Sequence, residues 1–143
     1  KLLVGNAEID GQHQELFRRV DQLLLALQLG SVTAEVERVM AFVGEYVHQH
    51  FRQEEALMQR SGYPDRTAHV AEHLELIRSF VALKKQLGKT GPTPEFAATL
   101  GAALVDWLKE HIATTDTATC VFRRVLSACR RVSSRRPTSG LST

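Results

Sequence analysis

In the stretch HFRQEEALM, residues 50–58 of a 143-residue chain, a histidine and a glutamate stand four positions apart. On a helix, His50 and Glu54 would lie about 40° apart around the axis and about 6 Å apart along it, which is the spacing of two ligands reaching one metal. HVAEH repeats the arrangement with His69 and His73. The two pairs are separated by a helix break, so they can face each other across a core. One such pair alone is more often a solvated helix face. Here, however, five of the six histidines fall on otherwise apolar stripes, and a core does not bury that many imidazoles without partners.

Further donors come from the two outer helices. His13 lies on the apolar stripe of a first helix, and His111 and Asp116 close a fourth. Together with His50, Glu54, His69 and His73 they make five imidazoles and two carboxylates. A zinc site normally closes with four ligands, so the set is too large for one metal. It suits two six-coordinate ions: five histidines, two bridging carboxylates and one bridging oxide or hydroxide fill all but one of the positions. The mixed nitrogen and oxygen donors, with no thiolate, fit iron or manganese and do not choose between them.

Helices must bring these donors together. The first carries His13, Leu16, Phe17, Val20, Leu24 and Leu27 inward and ends at Gly30 and Ser31. The second runs Val36, Met40, Val43, Val47, His50, Glu54 and Leu57 on one face, with His48 on the surface, and stops at Gly62, Tyr63 and Pro64. The third spans about Asp65 to Leu87, with His69, His73, Leu76, Ile77, Phe80, Leu83 and Leu87 inward, and ends at Gly88. Thr93, Pro94 and Glu95 then read as N-cap, first turn and acidic early position of a fourth helix, whose inward stripe is Phe96, Leu100, Leu104, Trp107 or Leu108, and His111. On an ideal helix, Asp116 would be rotated about 140° away from His111. The threonine-rich run between and beyond them predicts a π-bulge or local unwinding that swings Asp116 back. Val121, Phe122, Val125, Leu126 and Cys129 form a short amphipathic segment, packed on the bundle or leading to a neighbouring domain. The expected fold is all-α: an up-down-up-down antiparallel four-helix bundle with a short C-terminal helical segment.

Composition fits one domain, residues 1–132, followed by a basic, disordered tail or linker, residues 133–143. Residues 1–120 carry 12 basic against 16 acidic side chains, a net of −4, whereas six arginines and no acid follow Val121. No aromatic residues interleave with those arginines, so nucleic acid is not an expected partner. There is no apolar run long enough for a membrane span and no visible signal peptide, so a cytoplasmic protein without membrane contact is expected. The chain does not begin with Met, so a fragment, a processed form or a trimmed chain is expected. Cys120 and Cys129 would be about 13 Å apart along a helix and are expected to be free thiols.

The motifs IDGQH, HFRQEE, HVAEH and HIATTD, with GYP between the second and third, closely resemble the hemerythrin family over residues 4 to about 120. The resemblance implies a non-haem di-iron centre, with a bridging oxide or hydroxide, that binds O2 reversibly. His69, His73 and His111 would hold one iron, His13 and His50 the other, and Glu54 and Asp116 would bridge them. Phe51, Trp107, Leu108 and Ile112 match the family's O2-pocket positions, and Leu16, one turn from His13, is a further wall. The same residues also read as plain bundle core. Oxygen storage, delivery or sensing, without catalysis, is the function implied. The alternatives are an O2 or redox sensor domain with a covalent or non-covalent signalling partner, and a di-iron enzyme with peroxidase or nitric oxide chemistry. The chain departs from the family at Asn6, where an apolar residue is usual, and at Thr119, where family members often carry a tyrosine. At Thr119, a hydrogen bond to a ligand is therefore missing or remade.

Overall fold

A computed structural model describes residues 3–133, with the side chains of 128, 129 and 131–133 excepted. Helices α1 (Ala7–Leu29), α2 (Thr33–Ser61), α3 (Arg66–Thr90) and α4 (Pro94–His111) are followed by a five-residue π-helical turn, Ile112–Asp116, and by α5 (Thr117–Ser133). α1 packs on α2 and α4, and α3 on the same two, so the four long helices close a bundle around one apolar core. No strand occurs among the described residues.

Local chemistry explains most boundaries. Asn6 caps α1, its side chain accepting from the backbone N–H groups of Glu8 and Ile9. That is what the polar residue does at a position where the family favours an apolar one. Asp10 is buried and accepts from the Val4 and Gly5 amides, which ties the N-terminal arm down over the end of the bundle. Gly30 and Gly62 end α1 and α2 in the left-handed conformation that glycine takes without a Cβ clash. Thr93 caps α4 by accepting from Phe96 N–H, with Pro94 behind it.

Three expectations are corrected. α3 passes through Gly88 to Thr90 and is closed by Gly91, whose φ of 72° takes over the terminating role. On α1, Leu23 is fully buried and Leu24 is 38% exposed, because a step of three from Val20 keeps the stripe on the core. On α3, Ile77 is 37% exposed, whereas Phe80, Leu83 and Leu87 pack against the core as expected; Leu76 carries the apolar contact below the histidines. The first turns of α5 pack on the bundle: Cys120 is buried and free, and Phe122 meets the Tyr63 ring edge-on at 5.4 Å. Val121 and Val125 face outward. The Cys129 side chain and the tail from residue 134 lie outside the described residues.

Candidate metal centre

The seven residues picked out by type and spacing converge. His13, His50, Glu54, His69, His73, His111 and Asp116 are all buried to 2% exposure or less. They form two groups of mutually close donor atoms: Glu54, His69, His73, His111 and Asp116 in one, and His13, His50 and Asp116 in the other. Asp116 belongs to both. Its Oδ1 lies 2.9 Å from His111 Nε2 and 3.3 Å from His69 Nε2, while Oδ2 lies 3.1 Å from His13 Nε2. Glu54 Oε2 is 3.3–3.5 Å from Nε2 of His73, His69 and His50, so it too spans the two groups.

The π-helical turn makes this possible. One extra residue in the turn cancels most of the rotation that would carry Asp116 away from His111, so both side chains enter the same core. The hydroxyls of Thr114 and Thr117 donate to the backbone carbonyls of Glu110 and Ile112, which satisfies groups that the wider turn leaves loose.

Each imidazole turns Nε2 inward, and four of the five are held from behind at Nδ1. The acceptors are Gln12 for His50 at 2.7 Å, Thr119 for His69 at 3.0 Å, Glu55 for His73 at 3.2 Å and Glu72 for His111 at 2.8 Å. His13 Nδ1 has no partner among the described residues. A proton on Nδ1 leaves the Nε2 lone pair free, which is the tautomer a metal ligand needs. The expected gap at Thr119 is thus filled by its own hydroxyl. That hydroxyl donates to the Thr115 carbonyl at 3.1 Å and so accepts from His69. Tyr46 stacks on His50 with ring centroids 4.7 Å apart, and its buried hydroxyl has no hydrogen-bond partner.

Electrostatics point the same way. Burial opposes ionisation of Asp116 and Glu54, yet the surrounding imidazoles hold both carboxyls below their usual range. Burial likewise disfavours charge on His69, but Asp116 and Glu54 outweigh it and raise its pKa to about 9. His50, where burial wins, falls to about 4. Inward-facing Nε2 atoms of His69, His73 and His111, with Glu54 Oε2 and both Asp116 oxygens, have no hydrogen-bond partner although buried. So many inward-facing polar atoms without hydrogen-bond partners, around two shared carboxylates, fit a cation cluster.

The apolar residues expected near the ligands lie in the bundle core. Leu16, Phe51, Leu108 and Ile112 are buried, and Trp107 is half-buried, stacked on His111 at 4.4 Å. His48 is exposed, as its position two residues before His50 predicts. Four supporting residues are not visible in the ligand spacing: Gln12, Glu55, Glu72 and Thr119. Three of them are sequence neighbours of a ligand candidate, and that adjacency is the signal available. A residue next to an inward one lies about 100° around the helix and faces the neighbouring helix, so it serves a histidine of that neighbour.

A helical bundle whose core holds two linked groups of histidines and carboxylates is built to bind metal. Sequence comparison places it further: the Hemerythrin HHE cation binding domain matches residues 4–118. The chain belongs to the hemerythrin family. It is 32% identical over 107 residues to a bacteriohemerythrin of Methylococcus capsulatus, covering 75% of this chain and 79% of the relative. It is also 32% identical over 119 residues to a bacteriohemerythrin of Stenotrophomonas maltophilia, covering 82% and 74%. A bacteriohemerythrin of Aquifex aeolicus is 29% identical over 116 residues, covering 81% and 88%.

Proposed function

We propose that this protein binds O2 reversibly at a pair of iron ions with a bridging oxide or hydroxide, and does not turn it over. His69, His73 and His111 hold one iron, His13 and His50 the other, and Glu54 and Asp116 serve both. The observation that carries this reading is the division of the donors into a three-histidine and a two-histidine group that share Asp116, since the smaller group leaves room for a ligand. A ferrous pair bound there would supply the electrons that hold O2 and would recover them on release.

The chain's own part is to fix four of the five imidazoles in one tautomer and to keep water out. The Nδ1 acceptors do the first. Leu16, Phe51, Leu108 and Ile112, backed by Trp107, do the second, because an apolar wall offers water no partners. The acids nearest the cluster, Glu55 and Glu72, are engaged with His73 and His111, so neither stands free to deliver a proton to bound O2. This favours carriage over peroxidase or nitric oxide chemistry. Iron quantification with absorption spectra taken anaerobically, under O2 and again after evacuation tests the reading. Two irons per chain and a fully reversed spectrum are expected. One zinc per chain in iron-supplied protein, or O2 uptake that evacuation does not undo, would sink it.

A further inference from the structure

A groove of about 310 Å³ opens between α2 and α3, lined by Gly44, Val47, Phe51, Ile77 and Phe80, with His48 and Arg52 at its rim. Its floor is apolar. Phe51 is the residue that this groove shares with the inner wall. Its ring stacks on His73 with centroids 3.7 Å apart and planes 6° apart, and it lies 5.8 Å from both His50 and Trp107. One ring therefore stands between the groove and both groups of donors.

Two features keep the groove open. Gly44 has no side chain, and a Cβ there would rest in ordinary contact with the Phe80 ring, at 3.8 Å. Ile77 is turned to the groove and away from the core, which is why it is 37% exposed where its spacing predicts burial. The opening between α1 and α2 differs in character. It reaches His50 and Tyr46 past Phe42, Gln12 and Gln49, with the carboxylates of Glu8, Glu15 and Glu45 in its lining. Apolar cavities bind xenon and similar small apolar molecules through dispersion without competing hydration.

We propose that the α2–α3 groove is a binding station for small apolar gases and the route by which O2 reaches the inner cluster past Phe51. This rests on the O2-binding reading above. A station on the route changes how fast a ligand arrives and leaves, and leaves the bound state alone. Filling it must slow association and dissociation by the same factor.

The test uses iron-loaded protein. Gly44→Leu, which extends side-chain bulk into the groove from within a helix, is expected to lower both stopped-flow O2 rates by roughly fivefold, the effect of about 1 kcal/mol of added barrier, at unchanged affinity. Ile77→Ala, which widens the groove, is expected to raise both. Xenon-pressurised crystals are expected to show xenon against Phe51 and Ile77 in the parent and none in Gly44→Leu. Unchanged rates in both variants overturn the route, whether or not xenon is seen. So does a changed affinity, since that places the effect at the metals. If the parent takes up no O2, the functional reading fails separately, and an empty groove under xenon then overturns the gas station as well.

Discussion

Replacing Thr119 with valine removes one hydroxyl and little volume, so it isolates the hydrogen bond behind His69. In the parent, the Thr119 hydroxyl accepts from His69 Nδ1 at 3.0 Å with its own proton given to the Thr115 carbonyl, and the residue is 1% exposed. Water cannot replace the lost acceptor. Leaving a buried N–H without a partner costs about 1–3 kcal/mol. Losing the outer partner of a metal-bound histidine typically costs about 10- to 100-fold in metal affinity, equivalent to about 1.4–2.8 kcal/mol. The two routes agree in size because they describe one bond. Thr119→Val is therefore expected to release iron to a competing chelator about 10- to 100-fold more readily, whereas Thr119→Ser, which keeps the hydroxyl, stays near the parent. Equal iron retention in the valine and serine variants would refute the claim that the hydroxyl orients His69.

His48→Ala is expected to change neither iron content nor absorption spectrum, because the side chain is exposed and touches only Arg52 among its polar partners; an iron deficit would place it in the centre. Leu108→Ala removes a fully buried side chain, so a loss of ~2–5 kcal/mol is expected in denaturant melts. The O2-dependent absorption band of that variant should decay faster at full iron content, and decay at the parent rate would count against the dry wall. Burial, with Glu54 adding to it, pushes the Cys120 thiol up from 9.0 to about 11. The neutral thiol is the form the fold favours, so this contribution to stability is whole below pH 9.0 and is lost as pH rises through about 11. In a Cys129→Ser background, Cys120 should resist a thiol reagent at pH 8 until the protein is unfolded.

Much of this was legible in the sequence because the ligand candidates and the core share one helical period. The stripe that buries Val43 and Val47 also delivers His50 and Glu54. The spacing between His111 and Asp116 is incompatible with an ideal helix, and it is resolved by the π-helical turn at Ile112–Asp116. What was not legible depends on neighbouring helices. Gly88 carries the usual stop signal, but α3 continues to Gly91. Leu23 and Leu24 are equally apolar, and only the packing of the helices decides that Leu23 is fully buried while Leu24 stays 38% exposed at the edge of the contact with Gly101 on α4. Gln12, Glu55 and Glu72 each support a histidine on a different helix, so no single-helix pattern contains the pairing.

Those pairings also make the two halves of the centre unequal. On the three-histidine side, His73 and His111 are backed by carboxylates, and Thr115 donates to Glu72 at 2.7 Å to hold it in place. On the two-histidine side, His50 is backed by a neutral amide and His13 by none of the described residues. A carboxylate behind an imidazole makes the ring a stronger donor and stabilises positive charge in front of it. The fold therefore concentrates its negative charge behind the group with the fuller ligand set, where a metal needs nothing more. Behind the smaller group it leaves neutral partners and, in Tyr46 and Phe51, aromatic faces against His50. On the proposed O2-binding reading, an acid bonded to either ring would offer a proton to whatever ligand completes that group, and the carboxylates of Glu8, Glu15 and Glu45, which line the opening to His50, bond to neither ring.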